Sequence, residues 1–274
     1  MALRFLFLLI AASVALTFLI LNTSEDAGEG ALDAVLEAEG ATGAILVRRL
    51  SDGAEWTGGG SRVDERFVAA STFKIANSLI ILEAGVVSGP DADPLAWDGV
   101  DRLPGWDQDQ TLRTAFARSA VWAYQHWARQ VGHARMTEAV ARLEYANADI
   151  GAPERLVRFW LEGPLEISAR EQVDFLQRLH ARWLPVAPEI QNQVVDLMRH
   201  RAGEGWLIRA KTGWAIRDEP NHGWYVGWLE AAEDVWIFAV NVDLDWETGE
   251  GALRERLARN ALIAVGAPVP PVQG

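Results

Sequence analysis

Of the 25 lysine and arginine side chains, only Lys74 and Lys211 are lysines. Arginine stays protonated in proteins, whereas a buried lysine can release its proton. The two lysines are therefore the first places to look for chemistry. Lys74 ends the tetrad Ser71-Thr72-Phe73-Lys74. On a helix, positions i and i+3 share a face, so the Ser71 hydroxyl and the Lys74 amine can meet. A serine hydroxyl is a weak nucleophile near neutral pH and needs a base beside it. An amine serves only when it is neutral or converted to a less basic group. The apolar neighbours Phe73, Ile75 and Ala76 favour the neutral form by desolvation. Ser71 at the head of a helix also faces free backbone N–H groups, which favour developing negative charge. Lys211 opens a second set, Lys211-Thr212-Gly213. There a cation and a hydroxyl are offered to an anionic substrate, and Gly213 lets a ligand approach the chain closely.

The two sets must be carried by elements that converge. Apolar spacing predicts a helix over residues 72–87, with Ser71 at its start. Residues 206–212, 222–230 and 235–243 alternate or run apolar and aromatic, as strands do, and residues 43–50 read as another strand. The short acidic connection between 222–230 and 235–243 makes those two an antiparallel hairpin. Gly58-Gly59-Gly60 marks a turn. Residues 31–39, 110–145, 169–200 and 251–265 read as helical, with Ser168 and Glu171 forming a capping box. Strands lie at both ends of the chain and a helical block lies between them. The expected class is mixed α/β (α+β): a central antiparallel sheet flanked by helices, with an inserted helical lobe.

Half the residues are hydrophobic and 23% are charged, enough for a sizeable core. A net charge of −13 repels phosphate backbones, which argues against a nucleic-acid partner. The absence of cysteine excludes disulfides, thiolate metal sites and a cysteine nucleophile. The five histidines form no H-E-x-x-H and no i, i+4 pair, so no metal is expected. Residues 5–21 form an uncharged apolar run after Met1-Ala2-Leu3-Arg4. That pattern is a secretory signal, slightly long and without a clean A-x-A site after Leu21. The reading is a cleaved signal or a retained anchor within residues 1–24. Either places the folded part outside the cytoplasm, periplasmic or secreted, with the anchored form held at the inner membrane.

The pair S-x-x-K and K-T-G resembles the penicillin-recognising serine acyl-transferases. Three further segments narrow the likeness. Ser119-Ala120-Val121 is similar to the S-x-V element of class D (oxacillinase-type) β-lactamases, and Tyr145-Ala146-Asn147 to their Y-G-N. Phe159-Trp160-Leu161-Glu162-Gly163-Pro164-Leu165-Glu166-Ile167-Ser168 resembles their F-W-L-x-G-x-L-x-I-S signature. Order and separations agree over roughly residues 30–265, and the S-D-N and E-x-x-L-N segments of class A are absent. Three positions depart from the pattern: Ala146 replaces the usual Gly, Ala76 the common Pro, and Ala120 the frequent Val.

The resemblance implies hydrolysis of small-molecule β-lactam antibiotics, hence antibiotic resistance, by one catalytic domain over residues 25–274. Its sheet lobe comes from 25–70 and 201–274 and its helical lobe from 71–200. It implies Ser71 as nucleophile and Lys74 as general base, carboxylated by CO2 to N6-carboxylysine with no other cofactor. Trp160 would donate to that carbamate, and Phe73, Val121 and Leu161 would wall it. Ser119, assisted by Lys211, would relay a proton to the lactam nitrogen. The backbone N–H groups of Ser71 and Trp214 would form the oxyanion hole. Thr212, Gly213, Arg254, Tyr145 and Asn147 would bind substrate, Arg254 meeting its carboxylate in preference to Arg256 and Arg259. The stretch 214–228 is similar to the connection in some carbapenem-hydrolysing members, with Arg217 in a matching place. Two other readings stay open: a β-lactam sensor acylated without turnover, and a cell-wall D-Ala-D-Ala transpeptidase or carboxypeptidase.

Overall fold

A computed structural model describes residues 30–217, 221–245 and 250–269. The expected signal or anchor in residues 1–24 lies outside them. Among the described residues no helix is long and apolar enough to cross a membrane.

The chain opens with helix α1 (Ala31–Ala38), followed by strands β1 (Gly43–Arg49) and β2 (Glu55–Gly58). A short strand β3 (Phe67–Val68) leads into a 3-10 turn, Ala70–Phe73, and then helix α2 (Lys74–Glu83). Helices α3 (Leu112–Arg118), α4 (Val121–Val131) and α5 (His133–Arg142) follow. Strand β4 (Glu166–Ile167) pairs antiparallel with β3 and precedes helices α6 (Ala169–His180) and α7 (Pro188–Leu197). Strands β5 (Arg199–Gly203), β6 (Trp206–Ala215), β7 (His222–Ala231) and β8 (Asp234–Asp243) come next, and helix α8 (Leu253–Ala264) closes the fold.

Six strands form one antiparallel sheet in the order β2-β1-β8-β7-β6-β5. The β7–β8 hairpin expected from the acidic connection is present, with Ala231 opposite Asp234. The central strands read as apolar runs because both faces are covered. Trp224, Val226 and Trp228 face the helical lobe, while Tyr225 and Leu229 face α1 and α8. Successive side chains point to opposite faces, so one strand supplies both cores. Helix α2 buries every residue from Lys74 to Leu82, the polar Lys74, Asn77 and Ser78 among them, as a helix at the centre of a lobe does. The Ser168/Glu171 capping box caps α6 as expected.

Three expectations need correction. The predicted helix over 72–87 is shorter, Lys74–Glu83, and Ser71 lies in the 3-10 turn ahead of it. Thr72 Oγ1 donates to Ala69 O at 2.6 Å and tightens that turn. The predicted helix over 169–200 stops at Leu197, and Arg199–Gly203 forms edge strand β5. All five β5 residues are exposed, so no side-chain pattern announced a strand held by backbone pairing to β6. The strand predicted over 206–212 runs on through Ala215, so Gly213 and Trp214 are ladder residues.

Candidate active site

Lys74 Nζ donates to Ser71 Oγ at 2.8 Å. The i, i+3 spacing works although Ser71 precedes the α-helix, because the 3-10 turn continues the same helical sense. The turn is anchored on all sides. Ala69 N donates to Leu165 O at 3.1 Å, and Gln172 Nε2 of α6 donates to Thr72 Oγ1 at 2.8 Å. Ala70, just before the serine, adopts φ 49, a left-handed conformation that a non-glycine residue holds only where its surroundings impose it.

Lys74 is fully buried. Burial, and after it the charge of Lys211, push its amine well below the ordinary lysine range. The face of Tyr124 on α4 lies 5.2 Å from Lys74 Nζ, and the Tyr124 hydroxyl meets Ser78 Oγ at 2.8 Å. Lys211 is 4% exposed. Burial and the neighbouring Arg254 charge lower its amine to about 7. Lys211 Nζ lies 5.6 Å from the Phe116 ring of α3 and donates to Thr212 O at 3.0 Å. Phe116 and Tyr124 flank the corner between α3 and α4, which holds Ser119, Ala120 and Val121. Ser119 closes α3 at φ 57, half-buried between the two turns that carry the lysines' aromatic neighbours.

Strand β6 crosses the nucleophile turn closely. A Cβ built on Gly213 would lie 3.4 Å from Ser71 N and 3.2 Å from Thr72 Cγ2. Trp214 follows in the ladder, opposite Gly223. Arg254 of α8 donates to Gly213 O and stacks on the Trp214 ring at 5.3 Å. Arg256 instead pairs with Glu39 at 2.9 Å. Of these two α8 arginines, Arg254 is therefore the one on the Lys211-Thr212-Gly213 strand.

Trp160 is fully buried, and its Nε1–H has no partner among the described residues. Its ring packs on Phe73 at 5.8 Å and on Phe159 at 4.9 Å. Phe73 is fully buried, whereas Val121 and Leu161 are half-buried. Tyr145 and Asn147, expected among the substrate-binding groups, both contact the loop around them. Tyr145 is fully buried, its ring 5.6 Å from Phe73 and 4.8 Å from Phe175. Asn147 spends its amide on the loop: Nδ2 donates to Pro164 O at 2.8 Å, and Oδ1 accepts from Glu166 N at 3.3 Å. Both residues brace the segment that carries Trp160. Ala146 between them sits at φ 58, which explains why glycine is usual there.

The sequence reading did not single out Tyr124 or Phe116, whose only signal is helical spacing from the Ser119 corner. It also gave no role to Glu162, which pairs with Arg217 and ties the β6–β7 connection to the Trp160 segment.

A family model of the penicillin binding protein transpeptidase domain matches residues 47–262. β-Lactamase OXA-48 of Klebsiella pneumoniae is 42% identical over 202 residues, 73% of this chain and 75% of the relative. β-Lactamase OXA-2 of Salmonella typhimurium is 39% identical over 211 residues, 77% and 74% of the two chains. Among solved structures, the class D β-lactamase YbXI from Nostoc superposes with a TM-score of 0.83 at 41% identity, covering 86% of this chain and 98% of that one. FUS-1 (OXA-85), the class D β-lactamase from Fusobacterium nucleatum subsp. polymorphum, also gives 0.83, at 35% identity over 87% and 98%. The chain belongs to the class D serine β-lactamases. In this member the Ser71 hydroxyl meets the buried Lys74 amine, and strand β6 passes against the turn that carries Ser71.

Proposed function

We propose that this chain hydrolyses β-lactams through an acyl-enzyme on Ser71, with Lys74 carboxylated by CO2 as the general base. The observation that carries the reading is the fully buried Lys74 amine, 2.8 Å from Ser71 Oγ and depressed by desolvation. Only a neutral amine adds CO2, and an apolar site keeps it neutral. The surroundings fit the added group: Trp160 Nε1 is a buried donor without a partner among the described residues, and indole N–H can only donate. When bound, the carbamate supplies an anionic base beside Ser71 Oγ for acylation and for the hydrolytic water.

The protein's own groups do the rest. Ser71 Oγ attacks the lactam carbonyl and the C–N bond of the ring opens. The backbone N–H groups of Ser71 and Trp214 hold the oxyanion, each donor contributing about 3 kcal/mol or more. Ser119, assisted by the charge of Lys211, passes a proton to the departing lactam nitrogen. Thr212 and Arg254 receive the substrate carboxylate. Tyr145 and Asn147 keep the Trp160 segment in place without touching substrate. The apolar run at 5–21 supports export, which puts this activity outside the cytoplasm.

The test is steady-state nitrocefin hydrolysis by the purified chain lacking residues 1–24, with and without bicarbonate. Many turnovers per enzyme, with activity restored by bicarbonate after acid treatment, are expected. A single stoichiometric burst would favour a sensor or transpeptidase, and indifference to bicarbonate would leave Lys74 as a free amine.

A further inference from the structure

Five residues, Phe67-Val68-Ala69-Ala70-Ser71, connect strand β3 to the nucleophile. The Val68 carbonyl among them is held by side chains of one strand of the main sheet. His222 Nε2 and Trp224 Nε1 of β7 each lie 3.0 Å from the carbonyl oxygen of Val68. The two donors are i and i+2, so they share a face of the strand. A carbonyl only accepts, so the ring nitrogen of His222 at this contact carries the proton. His222 is 1% exposed and Trp224 is fully buried, which removes water as a competitor.

The neighbouring contacts close the same joint. The Phe67 ring lies 5.3 Å from the His222 ring, and the Arg62 guanidinium sits 4.6 Å from the Phe67 ring centroid. Arg62 also pairs with Asp243, the cross-strand partner of His222. Trp224 in turn stands opposite Gly213, and its Cβ is 3.2 Å from where a Gly213 Cβ would be. Strand β7 thus touches both halves of the site: Val68, three residues before Ser71, and Gly213, two residues after Lys211. Between Val68 and Ser71 lies Ala70 at φ 49, a conformation that needs its flanks held.

We propose that His222 and Trp224 form a clamp on the Val68 carbonyl that sets the position of Ser71 against the Lys211–Gly213 strand, with His222 a positioning residue for acylation. The inference rests on Ser71 being the acylated residue. A core histidine retained for packing alone would have no need of its N–H. The clamp needs it, because two hydrogen bonds to one carbonyl fix the oxygen's direction where one leaves it free to swing. Loss of the His222 donor still leaves Val68 O satisfied by Trp224, so the variant has no orphaned carbonyl to unfold it.

The experiment compares wild type with His222→Leu, His222→Gln and His222→Asn. Gln keeps an N–H donor at the reach of Nε2, Asn is polar but too short, and Leu has no donor. Acylation by a fluorescent penicillin is timed by rapid quench, the labelled peptide is identified, and thermal midpoints are recorded in parallel. Acylation is expected to fall about tenfold in the Leu and Asn variants, as for a reacting atom displaced by a fraction of an ångström. The Gln variant is expected within about threefold of wild type, with a midpoint shift like that of Asn. Wild-type acylation rates in a folded Asn or Leu variant would overturn the clamp. So would a folded Gln variant as slow as Asn. Wild-type protein labelled elsewhere than Ser71 would instead retire the underlying assignment.

Discussion

Gly213→Ala tests the closeness of strand β6 to the nucleophile turn. The added Cβ would sit 3.2 Å from Thr72 Cγ2, 3.2 Å from Trp224 Cβ and 3.4 Å from Ser71 N. Carbon atoms prefer about 3.5–4.0 Å, so the turn and the strand must part by a few tenths of an ångström. Overpacking of this kind costs about 1–3 kcal/mol, which a domain of this size survives. The functional cost is separate. If misplacement by about 1 Å costs about 100-fold in rate, a third of that shift costs about fivefold. The expected result is a folded variant with acylation slowed about fivefold, read as the pre-steady-state burst with nitrocefin. Gly227→Ala is the contrast. There a Cβ would lie 2.0 Å from Arg209 O and 2.7 Å from Ala210 Cα, backbone that cannot yield, and loss of folded protein is expected. A Gly213→Ala variant acylated at the wild-type rate would refute the reasoning that β6 touches the Ser71 turn.

Lys74→Arg is expected to be as inactive in nitrocefin turnover as Lys74→Ala, because Arg keeps the charge but cannot become a neutral amine; substantial activity in the Arg variant would remove the base assignment. Lys211 supplies a pH signature. Its folded value of about 7 lies below the unfolded value, so between about pH 7 and 10 the unfolded chain binds more protons and stability rises with pH. Urea titrations of wild type should show a steeper rise than Lys211→Met, by at most about 1.4 kcal/mol per pH unit, and equal slopes would mean an ordinary lysine. Ala146→Gly should stabilise, since φ 58 costs an L-residue about 1–2 kcal/mol and glycine entropy returns about 0.5–1. A lowered urea midpoint would show that the Ala146 methyl packs usefully.

Much of the site was legible because its chemistry is local in sequence. Ser71 and Lys74 are one helical turn apart, and Lys211, Thr212 and Gly213 are consecutive, so spacing alone groups each set. The hairpin of β7 and β8 was readable from its short connection, and α6 from its capping box. Edge strand β5 was not, since Arg199, His200 and Arg201 look like any solvated surface and the strand exists only through backbone pairing. The bracing contacts of Tyr145 and Asn147 were hidden for a similar reason. Their motif says that the site needs them, whereas only coordinates distinguish touching a ligand from bracing the loop beneath it. Long-range contacts such as His222 to Val68, 154 residues apart, leave no periodicity to read.

The scarcity of lysine and the chemistry proposed for it have one electrostatic root. Arg254 depresses Lys211, and Lys211 depresses Lys74, so three basic groups sit in a chain of mutual repulsion. Burial is the larger cause at both lysines, and among the described residues no carboxylate acts on Lys74 to restore its proton. A row of arginines in the same places would hold its charge and be costly to bury. Lysines can relax by giving up protons, or by admitting anions. The second route is open twice over: a carbamate on Lys74 replaces a suppressed cation by an anion beside Lys211, and a substrate carboxylate beside Arg254 offsets the other end. On the proposed mechanism, occupation of either position would restore charge to Lys211 and so favour the proton that Ser119 would pass on. A site that repels itself as a set of cations would then be balanced by two negative groups, a carbamate on the enzyme and a carboxylate arriving with the substrate.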